Sequence, residues 1–238
     1  MPTAFAGFSE EMVRFFRALK RNNRREWFQP RKHLFEQHVK TPMLELVSAI
    51  NAELAKFAPE HVTEPKNAIF RIYRDTRFSA DKTPYKTHIA ASFSRRGSER
   101  LGAGGFYFSV SHEVIEIAAG IYHPDREVTL LVRNHIAETH AELNRILADK
   151  KARKLTGSLQ GDALTRAPKG FDPEHPAAGF IKMKDWILDV TLDASLATSP
   201  KLQGEIVARF RAMAPLLRYL NRPLIARKPA RDLLEDRW

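Results

Sequence analysis

The spacing of apolar residues changes once along the chain and separates a helical part from a part rich in strands. Up to residue 58 apolar positions recur every three or four residues, as on the buried face of a helix. From residue 67 onward they alternate with polar positions, as in a strand with one buried face. The predicted strands are 67–74, 87–94, 105–110, 114–122 and 186–192, and the later predicted helices are 126–148 and one that begins at Ser199-Pro200.

Residues with capping preferences mark the predicted helix starts. Ser9 precedes the first helix, and Asn23 with Glu26 three positions later has the spacing of a capping box. Thr41-Pro42 predicts a new helix with proline at its first position. The triplet His123-Pro124-Asp125 is predicted to end the strand region and to cap the helix 126–148.

The order of these elements predicts an α+β fold. It has a helical N-terminus, a central and mainly antiparallel sheet, and C-terminal helices packed on the sheet. The short connection between 105–110 and 114–122 predicts an antiparallel hairpin. Regular crossover helices do not separate the strands, which argues against a doubly wound parallel sheet. We expect one domain over 1–222, followed by a charged tail, 223–238, with apolar residues that would allow it to dock.

Composition excludes several classes of protein. The 238 residues contain no cysteine, which rules out disulfides, thiolate catalysis and Cys-ligated metal centres. There is no apolar run of the ~18 residues that a membrane span needs, and no signal peptide is visible. We therefore expect a cytoplasmic protein without a membrane partner.

Positive charge is concentrated in two segments. The formal net charge is +11, while residues 14–40 carry nine Lys or Arg and two Glu, and residues 66–100 carry nine Lys or Arg and three acidic residues. Such concentration predicts an anionic partner, with nucleic acid as one form of it, provided that both segments meet on one surface. The other interpretation is a set of solvated basic helix faces.

The segment from Arg71 to His88 is the candidate binding site. Arginine side chains present planar forks of donors that match carboxylate and phosphate oxygens. In a strand Arg71 and Arg74 project to opposite faces, so their convergence requires a bend near Asp75. We expect an anion pocket in which Asp75 orients one arginine. The ligand-binding candidates are Arg71, Tyr73, Arg74, Arg77, Lys82, Tyr85, Lys86 and His88.

Three functions are consistent with this segment. The first is binding of a phosphate-bearing ligand or nucleic acid. The second is an enzyme that acts on a phosphorylated or carboxylated substrate, with Asp75 or Asp81 as its catalytic base. The third is an interaction protein in which the segment only holds the fold together. The sequence indicates no oligomeric state.

No metal site and no cofactor are predicted. The chain has no His-Glu-x-x-His motif and no Walker-type Gly-Lys-Ser/Thr. Gly102 to Gly105 precedes a predicted strand, whereas a dinucleotide fingerprint needs strand, glycines and then helix. The acid–base groups considered as metal ligands are His88, His112, Glu113, Glu116, His123 and Asp125.

Several motifs resemble the uncharacterised bacterial and fungal family called domain of unknown function 2461. They are 8–11, Asn22-Asn23-Arg24 with Trp27-Phe28, above all 70–87, and the later stretches 168–172, 175–176 and 215–217. One departure is Ala118-Ala119-Gly120, where the family pattern is richer in glycine. The resemblance covers about 8 to 222 and implies one full-length domain, and it supplies no reaction.

Overall fold

The computed structural model describes residues 5–97 and 102–225, so most of the predicted tail lies outside the described residues. Its N-terminal part is helical, as predicted. The helices are α1 (Glu10–Arg21), α2 (Arg25–Phe28), α3 (Lys32–Phe35), α4 (Thr41–Phe57) and α5 (Pro65–Ala68), with 3-10 turns at Gln29–Arg31 and Pro59–His61 and a π-helical turn at Glu36–Lys40.

The predicted helix starts have mixed outcomes. Ser9 precedes α1 but makes no capping bond through its side chain. The capping box at Asn23 is wrong, because α2 begins at Arg25 and the Asn23 amide bonds to the backbone of Tyr85 instead. No break precedes Thr41 either, since the π-helical turn runs directly into α4.

Four antiparallel strands form the sheet in the order β1 (His88–Phe93), β2 (Gly105–Ser111), β3 (Val114–Ile121) and β4 (Trp186–Asp193). Strands β2 and β3 are joined by the two-residue turn His112-Glu113, which confirms the predicted hairpin. Ala91 lies opposite Phe108, and Phe108 lies opposite Ile117, so the alternating apolar residues share one buried face.

The remaining helices are α6 (Arg126–Leu147), α7 (Lys150–Thr156), α8 (Ala178–Ile181) and α9 (Leu202–Ile225), with a 3-10 turn at Ala194–Thr198. The Asp125 carboxylate accepts from the Val128 N–H at 2.8 Å and caps α6, as predicted. Helix α9 packs on the sheet through Phe210, whose ring centre lies 4.7 Å from that of Phe106. The α+β prediction is therefore confirmed.

The predicted strand 67–74 is wrong. Residues 65–68 form α5, and the segment that follows makes only isolated bridges, at Ile69 to Ala91 and at Tyr73 to Tyr85. The segment pairs with its own return path, since the Arg74 N–H donates to the Pro84 carbonyl at 2.9 Å. The chain therefore turns back between Arg74 and Pro84, and this is the bend that convergence of the arginines requires.

Helix α9 ends three residues into the predicted tail. It continues past Pro223, and Leu224 is buried in the core.

Across the described residues no helix is both long and apolar enough to cross a membrane.

Candidate anion-binding site

An aspartate–arginine pair fixes the start of the returning loop. The Arg77 guanidinium donates to both Asp75 carboxylate oxygens, with Nε to Oδ1 at 3.0 Å and Nη2 to Oδ2 at 2.8 Å. The Arg77 backbone N–H also donates to Asp75. The Arg77 side chain therefore holds the pKa of Asp75 below its ordinary value.

A second pair closes the loop. The Arg74 guanidinium donates to the Asp81 carboxylate and to the Thr83 hydroxyl. The Thr83 N–H donates to Asp81 at 2.9 Å, and this bond, followed by the Arg74 side chain, lowers the pKa of Asp81 to about 2. Asp81 is thus ionised at neutral pH and is engaged by Arg74 and Thr83.

Three of the candidate cations, Arg74, Arg77 and Lys82, bond inside the loop. Lys82 donates to the Thr76 carbonyl at 2.9 Å, in addition to the two arginine pairs. Lys86 differs, because its Nζ lies 5.0 Å from the centre of the Phe70 ring and is half-buried. Burial lowers the pKa of Lys86, and the nearby charge of Arg71 lowers it further.

The two candidate tyrosines have different environments. Tyr85 is buried and stacks on Phe28 with ring centres 4.2 Å apart, and burial raises the pKa of its hydroxyl. Asn23 brackets its backbone from the end of α1. Tyr73 is exposed beside it, with ring centres 5.5 Å apart. Only Tyr73 presents its ring to solvent.

His88 begins β1, on the opposite side of the sheet from the core. Burial lowers its pKa, the charge of Lys86 acts in the same direction, and Glu116 opposes both. His88 is therefore neutral at neutral pH and adds no positive charge to the site.

The basic helices and the central segment meet at a cleft of about 600 Å³. Its floor is apolar and aromatic, with Phe28, Phe35 and Ile72 among its residues. Its cationic residues are Lys32, Lys40, Lys66 and Arg71.

Most of these cations are uncompensated. Lys40 pairs with Glu36 at 2.8 Å. Lys32, Lys66 and Arg71 make no salt bridge with any described residue. Of these three, only Arg71 was among the ligand-binding candidates of the sequence. The density of charge in 14–40 was the available signal, but which lysine faces the segment depends on tertiary packing.

Exposed aromatic rings accompany these cations. Phe70, Tyr73 and Phe78 are 44%, 43% and 94% exposed, although rings of this size are normally buried. Phe70 and Tyr73 line the cleft, and Phe78 projects from the loop with the Arg77 guanidinium 5.7 Å from its ring centre. The site thus offers both positive charge and flat apolar surfaces.

The outer face of the sheet carries a second group of titratable side chains, which lines a recess of about 650 Å³. Ser109 donates to Glu116 at 2.9 Å, and burial, with the charge of Glu116 as a smaller cause, raises the pKa of Asp189. Burial also raises the pKa of Tyr107. Sequence reasoning named neither Asp189 nor Tyr107 as a site residue; the pairing of β3 with β4, which brings Asp189 to this face, spans a long loop.

The acid–base groups considered earlier do not assemble into a metal site. Within 5–97 and 102–225, no group of three or more His, Asp or Glu side chains has a metal-binding arrangement. Glu113 pairs with Lys20 at 2.5 Å, and Asp125 serves as the cap of α6.

Comparison with known proteins gives one match. Neither a curated protein nor a solved structure matches the chain. One family model, described as conserved hypothetical protein (DUF2461), matches residues 11–219 and so spans the helices, the sheet and the cleft. The chain belongs to this family, conserved hypothetical protein (DUF2461).

Proposed function

We propose that the protein binds a phosphate-bearing ligand with a planar organic part, as in a nucleotide or a single-stranded nucleic acid, at the cleft beside Arg71. The observation that carries the proposal is the pairing of uncompensated cations with exposed rings. Lys32, Lys66 and Arg71 surround a cleft from which Phe70 and Tyr73 project.

Each half of this pairing has a physical reason. Phosphate oxygens offset the repulsion among cations that make no salt bridge with a described residue. Nucleobases stack on aromatic rings, and each stacked base contributes about 1 to 3 kcal/mol. Tyr73 and Phe70 would otherwise leave apolar surface in water, which is unfavourable for a side chain with no binding role.

The loop contributes rigidity to the proposed site. Asp75 and Asp81 neutralise Arg77 and Arg74, so the loop keeps its shape without a ligand. Arg71, which precedes the loop, then has a fixed base from which to reach a phosphate.

The enzyme alternative has less support at this segment. Asp75 and Asp81 have pKa values below the ordinary range and accept bonds from arginines, so both are weak proton acceptors. A purely structural role fits Arg74 and Arg77 well. It does not account for Lys32, Lys66 and Arg71, which make no ion pair with a described residue.

The test measures fluorescence anisotropy of a labelled oligodeoxyadenylate of about 12 nucleotides, with ATP as competitor. Three phosphate contacts predict a slope of about −2 for log affinity against log salt concentration. Arg71→Ala and Lys66→Ala should each reduce the slope by about 0.7. If a base stacks on Phe78, Phe78→Ala should weaken binding of the oligonucleotide about 5- to 150-fold. Because this ring is largely exposed, its removal should have little effect on the stability of the fold.

The arms separate the two sources of phosphate. If the ligand is a mononucleotide confined to the cleft, ATP should bind and Phe78→Ala should leave its affinity unchanged. If the ligand is a nucleic acid, Phe78→Ala should weaken binding of the oligonucleotide, and ATP should compete poorly with it. Lys154→Ala, at an exposed position of α7, is the matched control. The proposal is wrong if neither ligand binds, or if Arg71→Ala has no more effect than Lys154→Ala.

A further inference from the structure

A second cationic cleft lies at the start of α6, apart from the central segment. It has a volume of about 630 Å³ and combines residues from α6, from the loop at 168–171 and from the turn before β4. Its cationic residues are Arg126, Arg133, Lys169 and Lys184, and its apolar residues include Pro124, Leu130, Pro168 and Phe171.

Positive charge in this cleft is not compensated. No Asp or Glu is among its described lining residues, and none of its four cations makes a salt bridge with a described residue. Two of the acidic groups near these cations along the chain have other partners. Asp125 accepts from the Val128 N–H, and the buried Asp185 accepts from the His123 N–H at 2.6 Å. Four cations in one small space repel each other, and this arrangement costs free energy unless an anion is present.

Arg133 is the most informative of the four. Its Nη2 donates to the Met183 carbonyl at 3.0 Å, which fixes the direction of the guanidinium. Its Nε is buried and has no hydrogen-bond partner among the described residues. Burial lowers the pKa of Arg133, which means that its charged form is penalised where it stands. A buried donor without a partner normally has an explanation in an unseen ligand or water.

The positions of the cations give them a common direction. Arg126 and Arg133 are seven residues apart, and Leu130 lies between them on the same face of α6. Lys169 and Lys184 approach from the other wall. Leu130 is 51% exposed although it is apolar, so the cleft offers an apolar surface beside the charges.

We propose that this cleft is a binding site for a small organic phosphate. Its four positive side chains match a phosphate headgroup with two or more negative charges. A single carboxylate carries only one charge and matches them less well. The arginine forks match phosphate oxygens, and the exposed face of Leu130 with Phe171 suits an apolar substituent. The volume lies in the range of small-molecule sites. This site is independent of the cleft beside Arg71.

The test uses inorganic pyrophosphate and citrate as probes in titration calorimetry at constant ionic strength. Pyrophosphate should bind more tightly than citrate. Lys169→Ala and Lys184→Ala should each weaken pyrophosphate binding at least fivefold, and Lys169→Glu should abolish it. Both lysines are exposed and make no salt bridge with a described residue, so these variants should keep the wild-type thermal midpoint. Lys150→Ala on α7 is the control and should leave the affinity unchanged.

Three results would overturn the proposal. One is the absence of pyrophosphate binding at millimolar concentration. Another is a loss of affinity in Lys150→Ala as large as that in Lys169→Ala, which would show general attraction to a basic surface. The third is binding that survives Lys169→Glu and disappears in Arg71→Ala, which would assign pyrophosphate to the first cleft. If the oligonucleotide does not bind at the cleft beside Arg71, the expected loss of pyrophosphate binding in Lys169→Ala stays the same, because the two sites are independent.

Discussion

Replacement of Asn23 by alanine should destabilise the protein by about 2 to 3 kcal/mol. The Asn23 Nδ2 donates to the Tyr85 carbonyl at 2.8 Å, and the Tyr85 N–H donates to Asn23 Oδ1 at 3.0 Å. One side chain thus satisfies both backbone groups of a residue that is only 1% exposed. It ties the end of α1 to the segment that carries the candidate site.

The magnitude follows from these two bonds. Alanine leaves two backbone groups of Tyr85 without a partner, and each costs about 1 to 3 kcal/mol if fully buried, or about 2 to 6 kcal/mol together. Because water can reach the partly exposed neighbours of Tyr85, we expect the lower part of the summed range. For a chain of this size, 1 kcal/mol shifts the midpoint of thermal unfolding by about 2 to 4 °C, so Asn23→Ala should lower it by about 4 to 12 °C. Urea unfolding would measure the free energy directly.

Asn22→Ala is a matched control. Asn22 is also half-buried, but its amide donates only to the Ala18 carbonyl within α1, at 3.0 Å. Loss of this local bond should cost about 1 kcal/mol or less. If Asn23→Ala is no more destabilising than Asn22→Ala, the bracket around Tyr85 does not stabilise the fold and the reasoning is refuted.

Further predictions concern two glycines and one lysine. Gly120 has φ +147°, and a Cβ there would lie 2.0 Å from the Trp186 carbonyl oxygen, so Gly120→Ala should cost more than about 3 kcal/mol in urea unfolding. Gly204 in α9 has open space around it, so Gly204→Ala should raise the free energy of unfolding by about 0.5 to 1 kcal/mol. Equal effects of the two glycine substitutions would contradict this geometry. Lys86 lies against Phe70, which lines the cleft, and burial lowers its pKa; oligodeoxyadenylate affinity should therefore fall more as the pH rises toward that pKa, below 10.5, in the wild type than in Lys86→Arg, which keeps its charge.

The fold was predictable where one face of an element is buried. Alternation of Phe106, Phe108 and Val110 predicted a strand, and all three are buried on the core side. The segment 67–74 defeated the same rule. It alternates in sequence, but it forms no continuous strand: Ile69 and Phe70 make an isolated bridge to β1, and from Tyr73 onward the partner is the segment's own return path through Pro84. Periodicity records which side chains face the core and does not reveal which backbone supplies the hydrogen bonds.

The candidate site was predictable in its chemistry but not in its membership. The basic and aromatic composition of 71–88 indicated a special segment. It could not show that Arg74 and Arg77 have partners in Asp81 and Asp75, because pairing within a loop depends on the turn that the loop adopts. Lys32 and Lys66 reach the cleft from other elements, and only tertiary packing brings them there.

The aspartates of the central segment separate stability from binding. Because Asp75 and Asp81 each engage an arginine, the loop is close to neutral, and the free positive charge lies at its edge on Arg71 and Lys86. Removal of Arg74 would disturb the loop and any ligand together, so its effect on binding would be ambiguous. Removal of Arg71 leaves both ion pairs intact. Arg71→Ala therefore tests binding while the loop that supports Arg71 keeps its ion pairs, which no substitution of Arg74 can do.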